Sequence, residues 1–388
     1  MDYFCFFATE PLNLVSEKMG IPEKIKAIQD EIHKTQLNKA TEHHIGLLKA
    51  KIARLKKEME GDIHGKTISS RSRTTGYSLR KAGDGTVVLI GLPSVGKSTL
   101  LNKLTNANSK VGSYKFTTLT VVPGMMEHRG ARIQVLDMPG IIEGAASGRG
   151  LGKRVLSVAR SADLVILLLD VFQPHHIDLL KKELSEIGIK VDQKPPDILI
   201  ERTESGGISV NSLAKSHLSE NLARDILRVY GIHNCRLTIR EPGLTDDQLI
   251  DVLAGNRVYT PSIVVLNKID LVNDALLAEI RDKIGENFIP ISADHDENIE
   301  SLRDAISQKL DFIRIFLKPK GQDADLEEPL VVRSECTVSD VCTKIRRNMT
   351  NDFKYAQVWG NSVKFGAQKV GLDHRLEDGD IVSITKKS

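Results

Sequence analysis

The chain is poor in cysteine and aromatic residues and has no long apolar run. Its four cysteines, Cys5, Cys235, Cys336 and Cys342, show neither CxxC spacing nor a Cys/His ligand pattern. We therefore expect a reducing compartment and no structural zinc. No apolar stretch approaches the ~20 residues that span a bilayer. The N-terminal FCFFA is too short for a secretory signal and lacks a basic flank. We therefore expect a cytoplasmic protein with no membrane partner.

An excess of one charge is also absent. The 54 basic and 51 acidic residues leave a formal net charge of +3. Any contact with nucleic acid must then come from local basic patches, and we expect no DNA partner. With 388 residues, of which 40% are hydrophobic, the chain is long enough for two or three domains with buried cores.

One basic patch lies in a predicted helical hairpin. Residues 1–18 are interpreted as a tail or a start-site extension, because Met19 opens a cleaner beginning. From Pro22 to Gly61 the apolar residues recur at helical spacing, and a polar, basic linker completes the region 19–82. The second helix is either an ordinary solvated helix or a contact surface for RNA or a ribosome. Its basic residues are Lys49, Lys51, Arg54, Lys56 and Lys57.

A series of short apolar strands begins at Thr86. TVVLI, IQVLD, LVILLLD, SIVVLN and NFIPIS alternate with helical segments. This pattern predicts an α/β nucleotide-binding fold with a parallel-rich sheet, which we assign to 83–317. The long interval between Asp170 and Ser262 predicts an inserted small α/β subdomain over about 174–258. The insertion is expected to contain a hairpin in KPPDILIERTESGGISV and two amphipathic helices.

The C-terminal region is predicted to be a separate small module. An acidic linker at 318–327 leads to 328–388, which reads as a strand, a helix and several short strands. One sheet with a helix across it would account for this order. Phe353 and Trp359 could stack on bases, but core packing is the preferred interpretation for both.

The strongest chemical signal is GLPSVGKST, which follows a predicted strand and precedes a helix. Its GxxxxGK[ST] spacing lets backbone amides surround the α- and β-phosphates of a nucleotide. Lys97 would reach the β- and γ-phosphates, and Ser98 would bind Mg²⁺. The predicted phosphate loop consists of Gly91, Leu92, Pro93, Ser94, Val95, Gly96, Lys97, Ser98 and Thr99.

Two further stretches are predicted to respond to the γ-phosphate. In DMPG, Asp137 ends a strand and would hold the metal through water, while the Gly140 amide would approach the phosphate. Met138 and Pro139 complete this stretch. In KFTTLT a threonine could supply a second magnesium ligand, but spacing alone leaves Thr117, Thr118 and Thr120 open. The residues predicted to contact nucleotide there are Phe116, Thr117, Thr118, Leu119 and Thr120.

The stretch VLNKID predicts the base of the nucleotide. Asp270 can accept from both N1–H and the 2-amino group of guanine, whereas adenine offers neither donor, so the site should discriminate sharply. Asn267 and Lys268 would brace the loops and cover the base. Ser292 and Ala293, after NFIPI, fit a loop that closes over guanine.

Together, GLPSVGKST, FTTLTVVPG, DMPGIIEGAASGRGLG and NKID resemble the Obg-related developmentally regulated GTP-binding protein (DRG) family, from about Met19 onward. The resemblance implies that Thr118 is the threonine that binds magnesium. It also implies a helical N-terminal hairpin, an insertion in the GTPase domain and a C-terminal TGS module. VGLDHRLEDGDIVSI is similar to the closing strands of TGS modules, which are ubiquitin-like β-grasp folds.

The resemblance also bears on catalysis. Ile141 stands where many relatives of this family have the glutamine that orients water, so we assign no catalytic base and expect slow turnover. A partner protein or a monovalent cation such as K⁺ would complete the site, although Ser94 replaces the Asn of many cation-activated relatives. The glycine-rich run to Gly152 is either a mobile switch or a passive loop.

The leading hypothesis is a switch that binds GTP or GDP and hydrolyses GTP to GDP and phosphate. It would act on ribosomes or structured RNA in translation. The alternative is an RNA-binding assembly protein that keeps GTP as a structural ligand with negligible turnover. A metabolite kinase is disfavoured by NKID and by the lack of an evident acceptor site.

Overall fold

A computed structural model describes most of the chain. The described residues are 20–36, 38, 41–62, 83–105, 122–138, 161–186, 188–212, 218–255, 257–285, 287–319, 321–346 and 348–387. They divide into two compact units. The first takes the described parts of Met1–Arg73 and Lys194–Arg257, and the second takes those of Thr74–Gln193 and Val258–Ser388. No helix within these ranges is both long enough and apolar enough to cross a bilayer.

Helices and strands alternate through most of the chain. The helices are α1 (Ile21–Lys34), α2 (Glu42–Asp62), α3 (Lys97–Leu104), α4 (His176–Glu186), α5 (Glu220–Val229), α6 (Asp246–Ala254), α7 (Asp274–Ile284), α8 (Ile299–Leu310) and α9 (Val338–Ile345). The strands are β1 (Gly85–Gly91), β2 (Val122–His128), β3 (Ala131–Asp137), β4 (Leu164–Asp170), β5 (Ile189–Val191), β6 (Ile198–Arg202), β7 (Ile208–Ser212), β8 (Cys235–Ile239), β9 (Val258–Thr260), β10 (Ser262–Asn267), β11 (Phe288–Pro290), β12 (Phe312–Leu317), β13 (Leu330–Arg333), β14 (Phe353–Trp359), β15 (Gln368–Val370) and β16 (Ile381–Lys386).

A six-stranded sheet forms the centre of the second unit. Its order is β11-β10-β4-β1-β3-β2, with parallel neighbours except for β2, which runs antiparallel to β3. Every residue of β1 is buried, as expected for a strand covered by helices on both faces. The predicted α/β fold with a parallel-rich sheet is confirmed. The C-terminal ends of its parallel strands lie at the same edge of the sheet. The predicted nucleotide loops begin at this edge, directly after the strands.

Helices cover both faces of this sheet. α4 and α7 contribute to the core on one face, and α3 and α8 contribute to the core on the other. The α4 side chains Leu180 and Leu184 are buried in the first of these cores, and β5 pairs with β9 in parallel. We predicted an insertion from about 174 to 258, but α4 and β5 belong with the sheet, so the separate unit takes only Lys194–Arg257 of this interval.

A second sheet in this unit has the order β13-β12-β16-β14-β15. α9 packs on one face, where Val338, Val341 and Cys342 are buried. We placed the end of the GTPase domain at 317 and the C-terminal module at 328–388. The structure differs because β12 pairs with both β13 and β16, which makes it a strand of this sheet. Phe353 lies in the core, as preferred from the sequence, whereas Trp359 does not.

The first unit is built on a three-stranded sheet. The predicted hairpin between β6 and β7 is wrong, because both strands pair with β8 and not with each other. β6 runs antiparallel to β8, while β7 runs parallel to it. A parallel pair needs a crossover, which α5 supplies between β7 and β8. The two predicted amphipathic helices are present as α5 and α6.

The N-terminal hairpin is part of this first unit. Ala50 of α2 is fully buried in one core with side chains of α5, α6 and β8. A Cβ on Gly46 would lie 3.1 Å from Leu222, which shows how closely α2 approaches α5. The hairpin therefore folds together with Lys194–Arg257, although a long stretch of sequence separates them.

Three of the five basic residues that could have served RNA instead bond within this unit. Lys49 Nζ lies 3.0 Å from Asp247 Oδ2, Arg54 Nη1 donates to Val229 O over 2.6 Å, and Lys57 Nζ donates to Leu253 O over 3.1 Å. The two carbonyls belong to the C-terminal ends of α5 and α6, where positive charge is favourable. Much of the positive charge of α2 thus stabilises the first unit.

This packing gives a stability prediction. We expect Ala50→Leu to destabilise the first unit by about 1–3 kcal/mol, because extra methylene groups overpack a filled core. Urea unfolding, with hydrogen exchange of α5 and β8 as the local readout, measures the change. Lys51→Leu adds a leucine at the exposed neighbouring position and should cost much less. Equal effects of the two substitutions would show that α2 does not pack as described.

Candidate functional site: a guanine-nucleotide pocket

The phosphate loop joins β1 to α3. Gly96 immediately precedes α3 with a φ of 94°, a left-handed conformation that glycine adopts without strain. Leu100 N donates to Gly96 O over 2.9 Å and closes the first turn of the helix. The loop thus delivers the chain directly into the N-terminal end of α3, where free amides and the helix dipole favour an anion.

Lys97 is held across this loop. Its ammonium group donates to Gly91 O over 3.0 Å and to Leu92 O over 2.8 Å. Burial lowers the pKa of Lys97, and the negative charge of Asp137 opposes that shift. The side chain is therefore already positioned over the loop. When a nucleotide binds, its phosphates would replace the two carbonyl oxygens as hydrogen-bond acceptors for the ammonium group.

Ser98 and Asp137 meet beside the loop. Ser98 Oγ donates to Asp137 Oδ2 over 2.9 Å, and Asp137 is 5% exposed. Its other carboxylate oxygen is buried without a hydrogen-bond partner among the described residues. A buried, unsatisfied carboxylate oxygen next to a hydroxyl is a donor set that suits Mg²⁺, a cation that prefers oxygen ligands. These two residues therefore fit the predicted metal.

Asn267 connects the phosphate loop with the predicted base loops. Its amide donates to Val95 O over 2.9 Å and accepts from the Ala293 amide over 3.0 Å. The side chain is 3% exposed. One buried amide thus fixes both loops relative to the end of β10, as the predicted bracing role requires.

Asp270 lies in a short 3-10 helix, Ile269–Leu271, directly after β10. The pKa of Asp270 is lowered below its ordinary value, mainly by hydrogen bonding with the neighbouring Ser292 side chain. His295 Nδ1 also lies 3.6 Å from Asp270 Oδ2. The carboxyl group therefore stays ionised near neutral pH, as an acceptor-only group that can pair with the two donors of guanine. Ser292, fully buried, and Ala293 line the same corner.

Asp170 is a site residue that the sequence analysis missed. It ends β4 and pairs in register with Asn267. Its carboxylate lies 2.6 Å from Lys268 Nζ, and it also accepts from Phe172 N over 2.9 Å. The signal was available, since Asp170 ends LVILLLD as Asp137 ends IQVLD. Lys268, whose φ of 69° is left-handed, is thereby held at the mouth of the site.

The structure brings together the phosphate loop, Asp137, Met138, Asn267, Lys268, Asp270, Ser292 and Ala293. The other predicted contacts lie outside the described residues: Phe116, Thr117, Thr118, Leu119, Thr120, Pro139 and Gly140. Ile141 and the glycine-rich run to Gly152 lie outside them as well. The magnesium role of Thr118 and the potassium ion near Ser94 stay predictions.

Gly96 offers a substitution test of this geometry. A Cβ there would lie 2.3 Å from Asn267 Nδ2. We expect Gly96→Ala to weaken GTP binding about tenfold or more, because backbone strain of ~1–3 kcal/mol adds to the collision. Calorimetry measures the affinity. Gly231→Ala is the matched control, since Gly231 has a φ of 72° but nothing within 4 Å of a Cβ. Equal affinity in both variants would contradict the pocket geometry.

Comparisons with known protein families agree with this fold. The family described as "50S ribosome-binding GTPase" matches residues 86–202, the C-terminal region of the same domain family matches 205–312, and the TGS domain matches 313–386. The TGS match begins within β12, in agreement with the strand pairing. The predicted P-loop GTPase domain with a C-terminal TGS domain is therefore confirmed.

Relatives that match over nearly the whole chain are also GTP-binding proteins or GTPases by name. A GTP-binding protein of Methanocaldococcus jannaschii is 49% identical over 98% of this chain and 97% of the relative. The ribosome-interacting GTPase 1 of Saccharomyces cerevisiae is 45% identical, covering 94% and 99%. The developmentally-regulated GTP-binding protein 1 of Xenopus laevis is 44% identical, covering 95% and 100%. On this evidence the chain belongs to the developmentally regulated GTP-binding protein family of P-loop GTPases.

Proposed function

We propose that this protein hydrolyses GTP to GDP and phosphate and acts as a nucleotide-dependent switch on ribosomes or structured RNA in translation. The bonds of Asn267 carry the proposal. They tie the phosphate loop, at Val95, to the loop at Ala293, which follows Ser292, the residue whose side chain lowers the pKa of Asp270. A pocket of this kind reads both ends of the same ligand, the base and the terminal phosphates.

The residues of the candidate site have distinct roles in the proposed reaction. Lys97 and the N-terminal end of α3 would stabilise the negative charge that spreads over the transferred phosphoryl group. Asp270 would select guanine, and Lys268, positioned by Asp170, would cover the base. We assign no residue to activation of water, since Ile141 replaces the glutamine of many relatives. Turnover is therefore expected to be slow until a partner completes the site.

Ser98 would hold Mg²⁺, with Asp137 contributing through water and Thr118 as a further ligand. The ion would neutralise charge on the β- and γ-phosphates. Ser98 and Asp137 are already in mutual contact, so little rearrangement of the chain is needed when the metal arrives with its nucleotide.

The proposed partner is the ribosome. The name of the yeast relative describes it as ribosome-interacting, and the matched GTPase family is described as 50S ribosome-binding. A ribosomal partner would put the site of action in the cytoplasm. We also propose that a ribosomal component or a separate protein activates hydrolysis.

The test is phosphate release from GTP, measured with and without ribosomes, alongside co-sedimentation with ribosomes in the GTP-analogue and GDP states. A switch requires different affinity for the partner in the two states. We expect release to depend on Lys97 and to rise with ribosomes. Tight GTP binding without Lys97-dependent release would instead favour the assembly protein with a structural nucleotide.

A further inference from the structure

The hairpin of β2 and β3 joins the two stretches that are predicted to respond to the γ-phosphate. The strands pair along their whole length, so that Val122 lies opposite Asp137 at the end nearest the nucleotide pocket. Val122 follows the predicted nucleotide contacts at 116–120 almost directly in the sequence. We call the far end of the hairpin, residues 128–132, the hairpin tip. β3 has 7 residues, which puts the tip roughly 20 Å from Asp137.

The hairpin is packed as part of the central sheet. Met126, Ile133 and Val135 are fully buried in the core that α3 and α8 share with the sheet, and β3 pairs in parallel with β1. Close-packed interiors are hard to compress and therefore transmit strain. A displacement at the nucleotide end of the hairpin should thus reach the tip.

One residue bridges the hairpin tip and the C-terminal module. The Asp84 amide donates to Arg132 O over 2.7 Å, and Asp84 Oδ2 accepts from Arg132 N over 3.0 Å. The other carboxylate oxygen, Oδ1, accepts from Lys344 Nζ over 2.8 Å. Lys344 lies on α9 and donates in addition to Val331 O on β13. Because the Asp84 side chain is only 18% exposed, solvent screens this ion pair less than a pair on the open surface.

The tip also touches the module directly. A Cβ on Gly130 would lie 3.1 Å from Pro329 Cγ, one residue before β13. On the GTPase side, His128 Nε2 and Arg129 Nη2 lie 2.9 and 2.7 Å from Asp304 Oδ1 of α8. The tip is therefore held between α8 and the module, and a shift of the tip changes its contacts with both.

The joint between the module and the GTPase domain is not completely filled. A cleft of about 380 Å³ lies beside the Asp84–Lys344 pair, with Phe312, Val331 and Cys336 among the residues that line it. A joint with open space can rearrange, whereas a filled core cannot. A second ion pair crosses the joint away from the hairpin, because Arg333 on β13 binds Asp163, which precedes β4.

We infer that the C-terminal module senses the nucleotide state of the GTPase domain through the Asp84–Lys344 link at the hairpin tip. A shift of β2 and β3 with the nucleotide moves Arg132, and Asp84 passes the change to α9. Because such coupling is reciprocal, a partner that binds the module changes the affinity for GTP relative to GDP. The inference rests on the proposed nucleotide-dependent switch and deepens it by naming the route between pocket and module.

Hydrogen exchange of α9 and β13 tests this route, measured with a non-hydrolysable GTP analogue and with GDP. We expect exchange to differ between the two states by about fivefold or more, the low end of allosteric coupling. Lys344→Met removes the charge but keeps the length of the side chain, and it should abolish the difference, whereas Lys344→Arg should restore most of it. If both nucleotides bind by calorimetry and exchange in the parent protein is equal, this inference alone is overturned. If neither nucleotide binds, the proposed function is overturned with it.

Arg333→Met is the matched control. It removes the other ion pair across the joint and should keep the nucleotide-dependent difference, even where it raises exchange in both states. The ratio of affinities for the GTP analogue and GDP is the second readout, and it should change in Lys344→Met but not in Arg333→Met. An unchanged ratio in Lys344→Met would overturn the inference. Loss of the exchange difference in both variants would do so too, because general docking of the module would then carry the coupling.

Discussion

Replacing Lys97 by alanine is expected to lower GTP hydrolysis at least about 100-fold, since removing one preorganised electrostatic group from a reacting site costs on that order. The ammonium group lies at the mouth of the phosphate loop, bonded to Gly91 O and Leu92 O. No rearrangement of α3 is needed for it to meet the β- and γ-phosphates. Its charge acts most strongly where negative charge develops during phosphoryl transfer.

Single-turnover phosphate release, with and without ribosomes, measures this effect. Lys103→Ala is the matched control because Lys103 belongs to the same helix but pairs with Asp296 at the surface, over 2.7 Å. Loss of such a surface pair costs only ~0–1 kcal/mol of stability and should leave turnover unchanged. If Lys97→Ala releases phosphate as fast as the parent protein, the role of Lys97 is rejected. If the parent protein itself releases negligible phosphate with and without ribosomes, a structural nucleotide becomes the better account.

Asp270→Asn is expected to reverse the base preference of the pocket. The asparagine amide cannot accept from both donors of guanine, and a buried polar mismatch at a hydrogen-bonding site typically costs a factor on the order of 10⁴. The same amide can donate to the 2-oxo group of xanthine, so xanthosine triphosphate should gain what GTP loses. Because the pKa of Asp270 is lowered, the parent carboxylate is fully ionised at the neutral pH of this comparison.

Competition calorimetry with GTP, ATP and xanthosine triphosphate measures the reversal. Asp274→Asn is the control, since Asp274 is an exposed residue at the start of α7 and makes the same chemical change four positions away. An unchanged nucleotide order in Asp270→Asn, or equal binding of ATP and GTP by the parent protein, would remove Asp270 as the base-reading residue.

The nucleotide loops could be predicted from the sequence because their chemistry is local. The phosphate loop is recognised by glycine, lysine and serine at fixed spacing. Asp137 is recognised because it is the last residue of an apolar strand. Asp170 was missed because its role depends on a neighbour, Lys268, which only the pairing of β4 with β10 brings within reach. Local patterns carry no information on which strands become neighbours.

The same limit explains the errors in domain organisation. Ile313 and Ile315 give β12 an apolar pattern that suits either sheet, and only its pairing with β13 and β16 decides between them. The basic residues of α2 read as a solvated or RNA-binding surface because their partners, Val229 O and Leu253 O, lie far along the chain. Core packing was preferred for Trp359 because of the burial tendency of tryptophan, whereas the alternation along β14 puts its side chain on the face opposite Ala356 and Val358.

The shared core of α2 with α5, α6 and β8 has a consequence for biosynthesis. The hairpin is made first, but the residues that cover Ala50 are made only after β1–β5 and the loops between them. At ~5–20 residues per second, translation leaves this helix pair without its partners for on the order of ten seconds or more. A helix pair that is made before the central sheet thus completes its packing only after much of that sheet has been made, and a nascent chain cut short before α6 would leave the apolar side of α2 exposed to chaperones.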